Sequence, residues 1–424
     1  MSLSLSVARG NLVAKMDQIA DGPVPDPLQG ALSTTLGETF QSDTAAQERT
    51  AGRKPISLRS VQAPADQKEP LPPRSVTGRL TVSIIVPAYN GGQGFQRCLR
   101  SLTQLVRAPE EVIIVADGDT GGGVDLAREL GFTVLTLTDR GGPALARNRG
   151  AHAARGDLLF FVDADVTIPP DAVERVVAAF QAEPDLAAAF GSYDDSPAAG
   201  NFLSQYRNLL HHYIHQTSRE DGSTFWSACG AIRRRAFLAI GGFDETYRRP
   251  CVEDIELGYR LRQAGLKVRL CKSLQAKHWK AWTAGSLMKT DFLYRAAPWT
   301  ELIMRYRRFD NELNLRPGSR VSVVLACGLL GVIGALWNPW FLALAAACAM
   351  SLLAINAPLY RFFRRKRGLW FAIKAIPWHW AYYVCGGMGF AIGLLRYLLR
   401  RRGKSGLAAA ASERPDPSPG RDRD

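Results

Sequence analysis

Two carboxylates stand one residue apart in Asp163-Ala-Asp165, directly after the apolar run Leu-Leu-Phe-Phe-Val162. The length and composition of that run predict a buried strand. At such a strand end the pair can share a hard cation and a ribose. A magnesium or manganese ion there can bridge diphosphate oxygens and neutralise the charge of a leaving nucleotide. The alternative is a helix cap, because Pro169-Pro-Asp171 opens a predicted helix just beyond.

Three further polar residues stand where chemistry is possible, and each has an ordinary structural alternative. Asp117 follows the apolar run 111–116; it can accept a hydrogen bond from a nucleotide base or serve as an Asp-Gly turn residue. Arg147 can pair with a phosphate or form a solvated helix turn. Asp254 begins a predicted helix, either as its N-terminal cap or as a general base that takes a proton from an acceptor hydroxyl. One base opposite a leaving group gives a single displacement, which inverts configuration.

Aromatic and histidine side chains supply the other candidate contacts. The pair Phe225-Trp226 can stack on a sugar, although buried aromatics are also common core residues. His278 can ligate a metal, contact a phosphate or do neither. His211 and His215 are spaced i, i+4 on one predicted helix face, a spacing that zinc can use. Since the sequence offers no third ligand nearby, acceptor contact or packing is favoured.

Short apolar strands alternate with helical segments over the region that carries these residues. Strands are predicted at 80–87, 111–116, 133–137 and 157–162, and helices at 94–105, 123–130, 144–154, 201–216, 233–239 and 254–264. This alternation predicts an α/β fold with a mostly parallel central sheet. Since the polar residues gather at strand ends, we expect the site outside the carboxyl edge of the sheet.

Composition limits the class of protein. The 424 residues are 46% hydrophobic and carry a formal net charge of +14. The basic residues concentrate at 361–367 and 400–404, beside apolar stretches, which favours a membrane surface and argues against a nucleic-acid partner. Seven scattered cysteines without a C-x-x-C pair indicate neither a disulfide framework nor a zinc site. A reducing cytosol is therefore the expected compartment.

Two apolar stretches, at 321–337 and 340–360, approach membrane-spanning length and meet at an Asn-Pro turn flanked by tryptophans. They predict a transmembrane hairpin. The positive-inside rule places both basic clusters, and with them the catalytic domain, on the cytoplasmic face of the inner membrane. Residues 369–399 are predicted as a third helical hairpin, a re-entrant segment or an interfacial helix broken at Pro377 and Gly386-Gly387. The number of membrane crossings stays open.

These patterns divide the chain into four parts. Residues 1–78 are predicted to be a disordered leader without a secretory signal peptide, because they are polar and lack an apolar core behind a basic start. Residues 79–317 form the predicted catalytic domain. Residues 318–402 form the predicted transmembrane and interfacial helices, and residues 403–424 a disordered tail.

Several short motifs occur in one order along residues 80–280: Val-Pro-Ala-Tyr-Asn90, Asp117-Gly118, Ala146-Arg-Asn-Arg-Gly150, Asp163-Ala-Asp165, Gly230, Gly241-Gly-Phe-Asp244, Glu253-Asp254 and His278. Together they resemble the family 2 glycosyltransferases of the GT-A fold, in a membrane-anchored bacterial form. This resemblance implies a nucleotide-binding α/β fold, followed here by C-terminal transmembrane helices. The order of the motifs is far more specific than any one of them.

The resemblance assigns roles to individual residues. It implies that Asp117 contacts the donor base, that Asp163 contacts its ribose, and that Asp254 is the general base. It also implies that Asp165 and His278 hold Mg²⁺ or Mn²⁺. The other predicted contacts are Pro87, Tyr89, Asn90, Arg147 and Gly230 on the donor side, and Trp226 and Glu253 on the acceptor side.

The expected activity is inverting transfer of one sugar from a nucleotide sugar, with a UDP-sugar favoured, to a lipid, lipid-carrier or envelope-glycan acceptor. Ala116 stands where many relatives have an aspartate, so the donor base is left open. The Gln-x-x-Arg-Trp motif of the processive polysaccharide synthases is missing, and Lys280-Ala-Trp282 stands in its neighbourhood. Single transfer is therefore expected instead of polymerisation.

Two alternatives belong to other classes. A sugar nucleotidyltransferase needs a glycine-rich loop with a basic residue just after the first strand, whereas this loop has no arginine until Arg97. A catalytically silent membrane scaffold would bind nucleotide without chemistry. Asp165 and Asp254 argue against it, because a silent protein has no physical need to hold unpaired carboxylates together.

Overall fold

The computed structural model describes residues 79–89, 91–118, 122–138 and 140–412, with side chains as far as Arg400. The predicted leader at 1–78, the predicted donor contact Asn90 and the end of the predicted tail, residues 413–424, lie outside the described residues. Those three expectations stay predictions.

The described residues contain one eight-stranded mixed sheet in the order β3-β2-β1-β4-β7-β6-β8-β5. The strands are β1 (Val82–Ala88), β2 (Glu111–Ala116), β3 (Thr133–Thr136), β4 (Leu158–Val162), β5 (Val166–Thr167), β6 (Leu186–Tyr193), β7 (Cys229–Arg233) and β8 (Lys267–His278). β3, β2, β1 and β4 run parallel, as the alternating pattern predicts. β7 runs antiparallel to both β4 and β6, so the sheet is less parallel than predicted.

Helices cover the sheet and then continue into the apolar C-terminal region. The helices are α1 (Gln93–Thr103), α2 (Gly123–Glu129), α3 (Gly142–Ala153), α4 (Ala172–Ala182), α5 (Phe202–Gln216), α6 (Arg234–Ala239), α7 (Glu253–Gln263), α8 (Ala284–Lys289), α9 (Ala297–Tyr306), α10 (Pro317–Gly328), α11 (Trp340–Arg367) and α12 (Leu369–Ser412). A π-helical segment, Thr290–Ala296, joins α8 to α9, and a 3₁₀ segment, Leu329–Leu336, extends α10.

Alternation along the central strands places apolar side chains on both faces of the sheet. In β1, Ile84 belongs to one apolar cluster and Ile85 to another, and Phe160 and Phe161 of β4 divide in the same way. The first cluster is completed by α1 and α4, and the second by α3, α6 and α7. Burial on two faces explains why these strands are continuous apolar runs. It also leaves polar residues only at the strand ends.

Three helical stretches are long and apolar enough to cross a membrane: Pro317–Leu336, Trp340–Arg367 and Leu369–Arg400. Leu336, Trp337 and Trp340 are each about four-fifths exposed in the protein alone, which is expected of side chains that contact lipid. Membrane association of the chain follows from these helices. The third stretch is one uninterrupted helix through Pro377, so of the predicted forms neither a hairpin nor a break at that residue is seen.

The catalytic and membrane-associated parts share an apolar cluster. Tyr206 and Leu209 of α5 pack with Phe363 of α11 and Ala375 of α12. Arg367 of α11 donates hydrogen bonds to Gln205 Oε1 at 2.8 Å and to the Asp195 carbonyl at 3.0 Å. The apolar C-terminal helices therefore pack directly on α5, the helix that follows β6.

Candidate active site

A cavity of about 1060 Å³ opens at the carboxyl ends of β1, β2 and β4, the edge where α/β sheets place their ligand sites. The sheet side of the cavity is lined by Pro87, Asp117 and Asp163. The opposite side is lined by Asp254 and Arg295, among others. The cavity brings together the described candidates except Gly230, Phe225, His211 and His215.

Asp165 and His278 meet because β5 pairs with the end of β8, in the register Val166 opposite His278. Their Oδ2 and Nε2 atoms are 3.4 Å apart, and the Asp165 side chain is 44% exposed to the cavity. Burial alone would raise the pKa of Asp165, but a hydrogen bond and charge from His278, with the charge of Lys280, hold it below its ordinary value. Asp165 is therefore a carboxylate, the form that a hard cation requires.

Arg147 links the two carboxyl motifs of the site. Its side chain, on α3, contacts Asp163 Oδ1 at 2.7 Å and Glu253 Oε1 at 3.0 Å. Burial lowers the pKa of Arg147, but the charges of Asp163 and Glu253 outweigh it and hold that pKa above its ordinary value. Both terminal nitrogens bond carboxylates, so the arginine predicted to bind a phosphate positions acidic residues in this structure. Glu253 is equally enclosed, since its other oxygen accepts from the Cys251 N–H at 2.8 Å.

Asp254 lies on the first turn of α7, with Oδ1 accepting from the Ile255 N–H at 2.8 Å and Oδ2 from the Ser227 N–H at 3.4 Å. Burial and the negative charge of Glu253 raise the pKa of Asp254 to about 7, against a lowering effect of Arg147. A carboxyl group with such a pKa exchanges protons readily at neutral pH, as a general base must.

Asp117 caps the start of α3. Its two carboxylate oxygens accept from the Gly141 and Gly142 N–H groups, each at 2.8 Å. Gly142 has a φ of +84°, and a Cβ there would lie 2.3 Å from the Arg248 carbonyl oxygen, so only glycine fits this turn. Asp117 therefore has both a structural role in this turn and a place in the cavity wall. The predicted contact with the nucleotide base would use the remaining lone pairs of its carboxylate oxygens.

The other predicted donor contacts occupy different places. Pro87 and Tyr89 line the cavity, and the Arg140 guanidinium lies 5.1 Å from the centre of the Tyr89 ring. Gly230 lies in β7 beside the cavity, where an added Cβ would be 2.3 Å from the Trp226 carbonyl oxygen. The glycine therefore lets the loop that carries Trp226 approach the sheet.

Aromatic rings form the floor of the cavity near His278. Tyr193, at the end of β6, stacks on His278 with a centroid distance of 4.3 Å and meets the edge of Trp226 at 4.8 Å. His211 and His215 pack behind them, with their centroids 3.9 Å apart. Burial lowers the pKa of His211 well below its ordinary value and that of His215 to about 4. Both rings are neutral at neutral pH and serve as packing groups in this structure.

Residues 83–241 match the family model for glycosyl transferase family 2. The chain carries a glycosyl transferase family 2 domain. The matched span includes β2 to β7 and the Asp163-Ala-Asp165 motif. Over these residues the match agrees with the predicted family and enzyme class, and the α/β sheet followed by three apolar helices agrees with the predicted fold class.

Curated relatives are similar to part of the chain. An O-antigen biosynthesis protein, RfbC of Myxococcus xanthus, is 32% identical over 167 residues, which are 36% of this chain and 13% of the relative. The putative glycosyltransferase EpsH of Bacillus subtilis is 31% identical over 194 residues, 43% of this chain and 51% of the relative. The chain thus spans about half or less of the length of these relatives.

A solved structure of similar shape is the mannosyltransferase PcManGT from Pyrobaculum calidifontis, in complex with GDP-Man and Mn²⁺. The sequence identity is 18% and the TM-score 0.46, with coverage of 74% of this chain and 88% of that chain.

The metal-binding atoms in the cavity suit a metal ion that the protein and a substrate bind together, not one that the protein holds by itself. Among the described residues, no group of three or more His, Cys, Asp and Glu side chains is arranged to hold a metal. Asp165 and His278 offer one oxygen and one nitrogen facing the same cavity. Mg²⁺ is commonly bound by one or two protein carboxylates, with substrate phosphates and water completing its octahedron. A protein pair of this kind suits an ion that arrives with a diphosphate.

Several residues that line the cavity were not predicted as site residues from the sequence: Arg140, Tyr193, Trp279, Lys280 and Arg295. Tyr193 is the last residue of β6 and lies at the edge of the sheet where the cavity opens, so a correct prediction of β6 would have indicated it. The sequence pattern did not predict β6. Its sequence Leu-Ala-Ala-Ala-Phe-Gly-Ser-Tyr has few β-branched residues. Trp279 and Lys280 follow the end of β8, another strand that was missed. Arg295 had no local signal.

Arg147→Met is expected to lower the stability of the family 2 domain by roughly 3 kcal/mol, because it leaves buried Glu253 and half-buried Asp163 without their cation. Arg149→Met, two residues along the same helix at an exposed position, is the matched control. Thermal unfolding of the purified chain in detergent measures both. Equal unfolding midpoints for the two variants would mean that the buried ion pairs contribute nothing.

Proposed function

We propose that this chain is an inverting glycosyltransferase that moves one sugar from a UDP-sugar to a lipid, lipid-carrier or envelope-glycan acceptor at the membrane. One observation carries the proposal. A single cavity holds the Asp165–His278 pair and a carboxyl group, Asp254, whose pKa lies at about 7. The first suits a metal-bound leaving group and the second suits an acceptor base, which are the two requirements of metal-assisted sugar transfer.

The acceptor half of the reaction depends on Asp254. In its deprotonated form it takes the proton of the acceptor hydroxyl while that oxygen attacks the anomeric carbon. The bond from that carbon to the nucleotide breaks on the opposite side, so configuration inverts. The Ser227 and Ile255 N–H groups hold the carboxylate in place. Arg147 keeps the adjacent Glu253 ion-paired, so Glu253 does not compete for the proton.

The donor half depends on the sheet edge. Asp163 lies where a ribose hydroxyl can bond the oxygen that Arg147 leaves free, and Asp117 lies further along the same edge for the base. Asp165 and His278 would hold the Mg²⁺ or Mn²⁺, whose positive charge would stabilise the departing diphosphate. The perpendicular pair Tyr193 and Trp226 offers an apolar floor for the sugar ring.

The three apolar helices are the reason for proposing an acceptor that lies in the membrane. Their basic residues cluster at 361–367, at the end of α11 that packs on the catalytic part. Positive charge beside a membrane span favours the cytoplasmic side. We therefore place the catalytic domain on the cytoplasmic face of the inner membrane, with the acceptor presented from the lipid.

Donor hydrolysis tests the proposed activity without knowledge of the acceptor. The purified full-length chain in detergent is incubated with a panel of nucleotide sugars and Mg²⁺ or Mn²⁺, and nucleotide release is measured. We expect slow hydrolysis of a UDP-sugar, a loss of roughly 100-fold or more with EDTA, and recovery on adding excess metal, because the ion stabilises the leaving group. NMR of the released sugar gives its anomeric configuration. A folded protein that hydrolyses none of the panel contradicts the proposal.

A further inference from the structure

A π-helical segment, Thr290–Ala296, contributes to the wall of the cavity. Thr290, Tyr294 and Arg295 all line the cavity. π-Helical turns are rare and concentrate at functional sites, because an inserted residue redirects the side chains of its turn. Here the redirected turn brings a guanidinium to the cavity.

Asp291 and Asp254 act on Arg295 through their charge, but neither forms a hydrogen bond or an ion pair with it. In the part of the chain that the structure describes, Arg295 forms no hydrogen bond and no ion pair, although it is largely buried. The acid of its own segment, Asp291, is bound to Arg207 at 2.7 Å. Burial and the positive charge of Arg207 lower the pKa of Arg295 below its ordinary value. A buried cation beside another cation is costly, and a bound anion would remove that cost.

Arg295 lies near the proposed acceptor base, because the carbonyl of its neighbour Tyr294 accepts a hydrogen bond from the Cys251 thiol at 3.1 Å, three residues before Asp254. Its charge acts on Asp254, whose pKa it lowers, and Asp254 is the residue that meets the acceptor hydroxyl. Asp165 and His278 line the same cavity from different elements: Asp165 lies between β4 and β5, and His278 is the last residue of β8. An anion held by Arg295 would therefore belong to the acceptor side.

The same segment lies against the third apolar helix. A Cβ on Gly389 of α12 would be 2.3 Å from the Ala296 Cβ, and one on Gly393 would be 2.5 Å from the Ala297 carbonyl oxygen. Two glycines thus let α12 contact the backbone next to Arg295. On the outer side of the segment, Met288 and Leu293 are exposed apolar side chains. The segment that carries Arg295 therefore lines the cavity and also packs against an apolar helix.

We propose that Arg295 binds the phosphate of a lipid acceptor and so positions the acceptor beside Asp254. The inference rests on the proposed function, whose acceptor class it narrows from lipid or glycan to a phosphate-bearing lipid. A guanidinium offers paired N–H donors that match two phosphate oxygens, and an alcohol headgroup cannot replace them. A phosphate of the donor is the other source of the same chemistry, and the experiment distinguishes the two.

Binding of hexadecyl phosphate and of hexadecanol in detergent micelles tests the inference. Tryptophan fluorescence reports binding, since Trp226, Trp279 and Trp282 line the cavity. We expect the full-length chain to bind the phosphate at least roughly tenfold more tightly than the alcohol, and Arg295→Gln to remove that preference. Arg295→Lys should retain part of it. Arg305→Gln, an exposed arginine on α9 outside the cavity, is the matched control and should bind like the unchanged chain.

The donor arm measures the KM of UDP-sugar hydrolysis for the same variants. The inference holds if Arg295→Gln weakens alkyl-phosphate binding at least fivefold more than it raises the donor KM. It is overturned if the donor KM rises as much or more, which assigns Arg295 to the donor phosphates, or if the unchanged chain binds phosphate and alcohol equally. A chain that discriminates the two lipids but hydrolyses no donor contradicts the proposed function and leaves the phosphate site standing.

Discussion

Asp254→Asn is expected to reduce sugar transfer by about 10²–10⁴-fold while donor binding is retained, because positioned general bases contribute rate factors of this size. The amide has the shape of the carboxyl group and can keep its oxygen toward the Ile255 N–H at 2.8 Å, while its NH₂ group replaces only the longer contact of 3.4 Å with the Ser227 N–H. Single-turnover transfer and donor affinity measured side by side separate the two effects. Asp185→Asn, an exposed aspartate far from the cavity, is the control.

The pH dependence of the same residue gives a second measurement. Asp254 must be deprotonated to act, and its pKa of about 7 means that transfer rises with pH through that value and levels off above it. A raised folded-state pKa also means that the protonated fold is the more stable one. The stabilising effect of protonation is complete below about pH 4, the ordinary carboxyl range, and is lost as pH rises through about 7.

Removing the buried charge should therefore stabilise the fold at alkaline pH. At pH 8 we expect the free energy of unfolding of Asp254→Asn to be roughly 2 kcal/mol larger than that of the unchanged chain. The difference should shrink as the pH falls toward about 4. Thermal unfolding across this range measures the difference. Unchanged turnover in the variant, or a transfer rate independent of pH between 5 and 8, would remove Asp254 as the base.

Asp165→Ala is expected to abolish metal-dependent donor hydrolysis, with a loss of about 10³-fold, because the substitution removes the one carboxylate of the proposed metal pair. His278 alone is a poor site for a hard cation, which prefers oxygen ligands. Hydrolysis of the UDP-sugar and Mn²⁺ binding in the presence of UDP, followed by electron paramagnetic resonance, measure the two consequences. The fold should persist, since the Asp165 side chain is 44% exposed and projects into the cavity, not into the apolar core.

Asp171→Ala is the matched control for this prediction. It lies six residues further along, is 41% exposed and pairs with Arg175 on the first turn of α4, outside the cavity. It should retain full hydrolysis and Mn²⁺ affinity. If Asp165→Ala hydrolyses donor at the rate of this control, the metal lies elsewhere and the donor half of the proposal is wrong.

Local pattern was sufficient for the parts of the molecule that depend on neighbours in sequence. The buried runs of β1, β2 and β4 predict strands because a strand covered on both faces must be apolar throughout. Their ends are then the only places for Asp117, Asp163 and Asp165, and the shared carboxyl edge of parallel strands brings these residues to one cavity. The order of the short motifs is also a property of the sequence alone, and it indicated the family whose model matches residues 83–241.

Strands of weaker pattern were missed, and with them half of the sheet. β7 has the sequence Cys-Gly-Ala-Ile-Arg and pairs with β4 on one side and β6 on the other. Packing against these neighbours stabilises it as a strand, although its own residue types do not predict one. Its antiparallel direction makes the sheet mixed. The long helix through Pro377 was also undecided, because tertiary packing against α9 and α10 determines whether a proline interrupts a helix or is tolerated within it.

What the sequence by itself determined is the family, the strand ends and the identity of the acidic residues. Only the tertiary structure decided their partners. Arg147 binds Asp163 and also Glu253, which is 106 residues further along the chain, and the β5–β8 register joins Asp165 to His278. Arg207 pairs with Asp291, and among the described residues Arg295 of the same segment forms no ion pair. Side-chain chemistry is local to a residue, whereas burial and charge compensation depend on whatever the fold brings within a few ångströms of it.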